Sequence, residues 1–111
     1  MPFFIGKILE LPLTTIQDYS LFHILNDYSV DLWKQQIDAI TEKHGLVSSI
    51  VHPDYLIEKR ARATYQALLE HLARMREERK TWIALPRESC AVRQRRRRTT
   101  RRRDTRRAGG R

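Results

Sequence analysis

The sequence has few of the residues that build disulfides, metal sites or membrane spans. Cys90 is the only cysteine in 111 residues, which excludes an internal disulfide and any site built from several cysteines. Lys7, Glu10, Asp18 and Asp27 interrupt the most hydrophobic stretch, so no apolar run approaches the ~18 residues that a membrane helix needs. The start of the chain also lacks the basic segment and the cleavage site of a signal peptide. These absences predict a cytoplasmic protein without a membrane partner.

Basic charge is scarce in most of the chain and concentrated near its end. Residues 1–86 contain five Lys, five Arg and eleven acidic residues, a net charge of −1. Residues 87–111 contain twelve Arg, no Lys and two acidic residues, a net charge of +10. Residues 89–111 have little apolar surface to bury, so we expect a disordered Arg-rich tail after a folded body at residues 1–88.

The body alternates between strand-like and helix-like patterns. Short apolar segments at Phe3–Leu11, Leu46–Val51 and Thr81–Leu85 predict three strands, and two of them end at a proline. Two amphipathic helices are predicted between them, one beginning at a Ser29 cap and one over Leu56–Lys80. The order strand, helix, strand, helix, strand predicts an α/β fold with a partial (β/α) barrel-like parallel sheet.

The periodic apolar residues identify the core-facing side of each helix. In the first helix these are Val30, Trp33, Ile37 and Ile40, and Gly45 stands at the usual helix-ending position. The second helix carries Ala61, Tyr65, Leu68, Leu72 and Met75. Both tryptophans, Trp33 and Trp82, occupy apolar positions and are expected in the core.

His52 is the strongest candidate for chemistry. It follows the predicted strand Leu46–Val51, and ligands bind at the C-terminal ends of parallel strands. Asp54 and Tyr55 follow with groups that can bind an imidazole or a substrate. The alternative is a structural loop in which Asp54 caps the next helix and Tyr55 packs. The remaining histidines are expected on helix surfaces, and no two of the four have the spacing of a helical metal site.

The residues from Phe3 to Glu88 resemble the C-terminal part of bacterial polysaccharide deacetylase-like proteins, the NodB-homology carbohydrate esterases. The most specific segments are ELPLTT with the following QD, and the strand-end HPDY. The resemblance implies a distorted (β/α) barrel and a divalent metal, usually zinc, held by one Asp and two His. A metal-activated water attacks an N-acetyl carbonyl in that family, and a late histidine protonates the leaving amine.

His52 matches the position of that general acid, with Ile50 where the family has Leu. The family's metal ligands lie in segments that this chain does not contain, since it has neither an Asp-Asp pair nor an HxxxH motif. We therefore expect a fragment that binds no cofactor and is inactive alone, a glycan being the substrate only in a full-length protein.

The Arg-rich tail does not resemble the family. Arg without Lys favours a frame-shifted reading of a GC-rich gene, because Arg codons are mostly GC-rich. The alternative is a small basic protein whose segment Arg95 to Arg111 binds RNA or DNA nonspecifically, since clustered cations release counterions from phosphates.

Overall fold

The computed structural model describes the backbone of residues 1–108 and the side chains of residues 1–104. Residues 109–111, the end of the predicted nucleic-acid arm, lie outside the described residues. The chain forms two compact units, residues 1–81 and the segment from Trp82 onwards. The regular elements are two strands and three α-helices: β1 Phe3–Ile5, β2 Ile8–Glu10, α1 Asp31–Glu42, α2 Lys59–Glu78 and α3 Pro86–Ala108. A π-helical turn (Ser20–Ile24) and a 3₁₀ turn (Pro53–Ile57) connect them.

The first predicted strand is a hairpin. Strands β1 and β2 pair in antiparallel fashion, with Phe3 opposite Glu10 and Ile5 opposite Ile8. Gly6 has a positive φ of 60° and Lys7 does not, which is the pattern of a two-residue turn with glycine in the first position. The prediction of one continuous strand over Phe3–Leu11 missed this turn, because Gly6 lies between two three-residue strands and reverses the chain.

The predicted parallel sheet and partial barrel are wrong, because the described residues contain only the antiparallel pair β1 and β2. The segment Leu46–Val51 is not a strand. Its backbone instead bonds to a loop, with Thr14 N donating to Ser48 O at 3.0 Å and Ser48 N donating to Thr14 Oγ1 at 2.8 Å. A central parallel strand needs partners on both edges and cover on both faces, whereas no described strand pairs with this segment and Ser49, Ile50 and Val51 are exposed.

The two predicted helices of the body are confirmed. Helix α1 buries Trp33 and Ile37, and helix α2 buries Ala61, Tyr65 and Leu68 together with Thr64 and Met75. These side chains join Leu21 and Phe22 of the π-helical turn in one core. The end of α1 differs from the prediction, because the left-handed residue is His44, at φ 53°. Gly45 follows it and donates to Ile40 O at 2.9 Å, which closes the helix.

The segment for which the sequence predicts a disordered tail lies in the helix α3, Pro86–Ala108, over the described residues. Pro86 suits the first helical position, and the Glu88 carboxylate accepts a hydrogen bond from Leu85 N at 2.7 Å, as in a capping box. Arginine is a good helix former, and no Gly or Pro interrupts the segment after Pro86. The expectation of a core position fails for Trp82, which is 60% exposed. None of the described helices is long and apolar enough to cross a membrane.

Candidate functional site

A fully buried carboxylate, Asp18, lies at the centre of the candidate site. It directly precedes the π-helical turn, and four hydrogen bonds end on its two oxygens. Oδ1 accepts from Tyr19 N at 2.8 Å and faces His52 Nδ1 at 2.7 Å. Oδ2 accepts from His52 N and from the hydroxyl of Tyr65. A buried charge needs this degree of pairing, because an unpaired ion in the interior is costly.

These contacts change the protonation of the two buried partners. Burial alone raises the pKa of Asp18, but the hydrogen bonds from Tyr65, His52 and Tyr19 outweigh it and lower the pKa below the usual value. The pKa of Tyr65 is raised, first by burial and then by its hydrogen bond to Asp18. Asp18 therefore stays ionised near neutral pH, and the Tyr65 hydroxyl keeps its proton and remains a donor.

His52 reaches Asp18 because of the proline that follows it. A residue before proline is confined to extended conformations, and His52 has φ −107° and ψ 113°. In this conformation both its backbone N–H and its imidazole Nδ1 contact Asp18. The position of His52 at the entrance of the turn Pro53–Ile57 agrees with the sequence, but the preceding segment is not a strand.

The pairing with Asp18 fixes the tautomer of His52. An ionised carboxylate only accepts hydrogen bonds, so Nδ1 carries the proton and donates it to Oδ1. The side chain of His52 is 45% exposed whereas that of Asp18 is fully buried. Nε2 is thus the nitrogen left to exchange protons with a ligand or solvent. This arrangement is that of an acid–base histidine oriented by a carboxylate.

An aromatic ring lies beside the imidazole and also borders a small pocket, which His52 itself does not line. The ring of Tyr55 lies 5.2 Å from that of His52 and 4.9 Å from that of His23. Tyr55 also lines a pocket of about 260 Å³ whose other lining residues are Phe22, His23, Tyr28, Asp54, Ile57, Glu58 and Ala61. The pocket combines aromatic walls with two carboxylates, a lining suited to a polar ligand with apolar faces.

Asp54, the second candidate from the sequence, has a different position. It is exposed and lines the pocket, and no described hydrogen bond joins it to His52. It does not cap either neighbouring helical element, since neither has a side-chain cap. Asp54 can therefore contact a ligand in the pocket, but it does not orient the imidazole.

The other histidines lie apart from the Asp18 pair. His44 ends α1, and His23 is exposed beside Tyr55. His71 lies between the two helices of the body, with Nε2 3.3 Å from Asp38 Oδ1, and its side chain is only 13% exposed. Among the side chains at residues 1–104, no three of His, Cys, Asp and Glu come together as metal ligands. The metal implied by the resemblance does not fit the residues described.

Asp18 and Tyr65 were not recognised as site residues from the sequence. Asp18 is there a charge that interrupts an apolar stretch and the Asp of the QD segment, without a site role, and Tyr65 is a core residue of the second helix. The available signal was the acidic residue inside an otherwise buried segment, since a buried charge requires partners. Its partners lie 34 and 47 residues away, which no local pattern reveals.

Comparison with known proteins returned no match: no protein family, no curated protein and no solved structure is similar to this chain.

Proposed function

We propose that this chain carries the general-acid part of a glycan N-deacetylase site and is inactive alone. His52 is the proton donor, and Asp18 is the positioning residue that orients it. The observation that carries the proposal is the contact between the buried Asp18 carboxylate and Nδ1 of the half-exposed His52. The resemblance of HPDY to the deacetylases assigns the same role to the same histidine.

The proton transfer follows from the tautomer. Protonated His52 holds Nδ1–H against Asp18 and presents Nε2–H to the nitrogen of the leaving amine. As the C–N bond breaks, the proton moves from Nε2 to that nitrogen and the imidazole becomes neutral. The Asp18 contact persists through the step, and a proton from solvent restores the acid.

The pocket beside Tyr55 supports a sugar as the ligand. The half-buried ring of Tyr55 offers an apolar wall for a pyranose, and Asp54 and Glu58 offer acceptors for its hydroxyl groups. The volume of about 260 Å³ suits a single ring rather than an extended chain. We assign Asp54 to substrate binding on this basis.

The described residues supply a proton donor but no group that activates the attacking water. His52 and Asp18 form the proton-transfer pair, and no metal-binding cluster accompanies them among residues 1–104. We therefore expect the isolated chain to release no acetate from N-acetylglucosamine oligomers. Acetate release together with one tightly bound zinc per chain would contradict the proposal.

The role of His52 is tested in a full-length polysaccharide deacetylase that has HPDY at the general-acid position. Replacing the counterpart of His52 by Ala should lower kcat by ~10² to 10⁴ with KM nearly unchanged. The counterpart of Asp54→Asn is the matched control, and it should raise KM while leaving kcat nearly unchanged. A His variant that loses only folding stability, with kcat retained, would favour a structural role for the histidine.

A further inference from the structure

Helix α3 carries a dense row of cations. Eight arginines fall within the eleven residues Arg93–Arg103, and this stretch contains no acidic residue. At 1.5 Å per residue the stretch is about 16 Å long, so one positive charge falls roughly every 2 Å. Double-stranded DNA carries one negative charge per ~1.7 Å of its axis. The two linear charge densities are similar.

The arginines surround the helix rather than lining one side. Successive helical residues rotate by about 100°, so the run Arg95–Arg98 alone covers the whole circumference. All described side chains from Gln94 to Asp104 are exposed. A helix that lies on a membrane needs an apolar face, and this stretch has none. A cylinder charged on all sides instead suits an anionic partner that surrounds it.

Phosphate contacts also favour the helical state of this segment. Like-charged pairs at a spacing of four residues oppose helix formation in water. Three such pairs lie in this stretch: Arg93 and Arg97, Arg97 and Arg101, and Arg98 and Arg102. Phosphates placed around the helix remove this repulsion. The Glu88 cap at the N-terminus and the high helix propensity of arginine then favour the helix.

We propose that α3 binds in the major groove of B-form DNA as a helix, with the phosphates on both sides of the groove neutralising its arginines. The major groove of B-form DNA is about 12 Å wide and admits an α-helix. The major groove of A-form RNA is deep and narrow, so duplex RNA is a poorer partner for this element. The binding does not involve His52 or the pocket, and it stands independently of the deacetylase site.

Most of the contacts are to phosphates, and the arginines on the groove-facing side meet base edges. The hydroxyls of Thr99 and Thr100 already donate to Arg95 O and Arg96 O, at 3.0 and 3.1 Å. They are therefore held against the helix backbone and not presented to base edges. Phosphate contacts fix orientation without reading sequence, and the groove-facing arginines add a preference for duplexes rich in G·C pairs.

The experiment separates the helix from its charge. Thr99→Pro keeps every arginine but interrupts the helix inside the cationic stretch, and Thr99→Ala is the matched control. The full chain and both variants are titrated into a labelled DNA duplex, its single strand and an RNA duplex of the same sequence. Fluorescence anisotropy gives the affinity, and circular dichroism gives the helix content with and without DNA.

The proposal expects the DNA duplex to bind at least about tenfold more tightly than the single strand or the RNA duplex, because only its groove admits the helix. Duplex DNA should also increase the helix signal, and Thr99→Pro should remove both the preference and the increase. The salt slope should approach −0.9 for each phosphate neutralised. Equal affinity for the three nucleic acids, or full duplex affinity in Thr99→Pro, would overturn groove binding by the helix.

Discussion

His52 Nδ1 lies 2.7 Å from Asp18 Oδ1, although 34 residues separate the two along the chain. The carboxylate is fully buried whereas the imidazole is half exposed, so this contact joins the core to the surface. A change at Asp18 therefore affects both the stability of the fold and the orientation of the imidazole. Stability and proton transfer must be measured separately to distinguish them.

Replacing Asp18 by Asn should destabilise the fold. The amide NH₂ of Asn would face donors at a position where the carboxylate now accepts four hydrogen bonds. We expect a loss of about 2–3 kcal/mol in the free energy of unfolding, measured by urea denaturation. Asp54→Asn is the control, because Asp54 is exposed, and it should change stability by less than about 0.5 kcal/mol. Equal stability of the two variants would contradict the four hydrogen bonds to the buried Asp18 carboxylate.

Removing the hydroxyl of Tyr65 should lower the free energy of unfolding more than removing that of Tyr55. The buried hydroxyl of Tyr65 donates a hydrogen bond to Asp18 Oδ2. Tyr65→Phe removes this donor and leaves the buried carboxylate with one hydrogen bond fewer. The cost should be about 1–2 kcal/mol, by the same urea measurement. Tyr55→Phe keeps the ring contact with His52 and removes no described hydrogen bond, so it should be nearly neutral. A larger loss of stability in Tyr55→Phe than in Tyr65→Phe would contradict the hydrogen bond from Tyr65 to Asp18.

Stability should fall at acid pH through Asp18. The pKa of this carboxyl is lower in the folded state than its ordinary value of 3.8. Its contribution is therefore fully present above pH ~4 and is lost as the pH falls through the folded pKa. The difference in unfolding free energy between the natural chain and Asp18→Asn should shrink as the pH falls from about 4 through the folded pKa of Asp18. A difference that is constant from pH 7 to the acid limit would argue against the lowered pKa.

His44 holds a left-handed conformation that glycine would adopt more easily. Its φ is 53°, and a β-carbon is unfavourable there. His44→Gly should therefore raise the free energy of unfolding by about 0.5–1 kcal/mol, after the added freedom of the unfolded chain is counted. Gly45→Ala should do the opposite, because a Cβ at Gly45 would lie 2.7 Å from Ile40 Cγ2. Thermal unfolding of both variants tests the pair.

The helices of the body were predictable because their patterns are local. Trp33 and Ile37 share one face of α1, and Tyr65 and Leu68 share one face of α2, as their spacing indicates. The sheet was not predictable in the same way. The apolar segment Leu46–Val51 would suit a central strand, but a strand exists only where another strand pairs with it. Sequence spacing says nothing about whether that partner is present.

The candidate site was predictable only in part. The sequence indicated His52, because a histidine before proline at the end of an apolar segment is conspicuous. It did not indicate Asp18 or Tyr65, whose roles arise from contacts over 34 and 47 residues. The prediction of a disordered tail considered only that residues 89–111 have little apolar surface to bury, so it missed the helix α3. The capping contact of Glu88 and the helix propensity of arginine act without burial.

The tautomer of His52 tests most directly whether Asp18 orients the imidazole for proton donation. Long-range ¹H–¹⁵N NMR of the ¹⁵N-histidine-labelled chain, recorded where the imidazole of His52 is neutral, reports which ring nitrogen carries the proton. The account predicts that neutral His52 carries its proton on Nδ1, and that Asp18→Asn shifts the population toward Nε2–H. A neutral His52 protonated on Nε2 in the natural chain would contradict its orientation by Asp18 and its role as the proton donor.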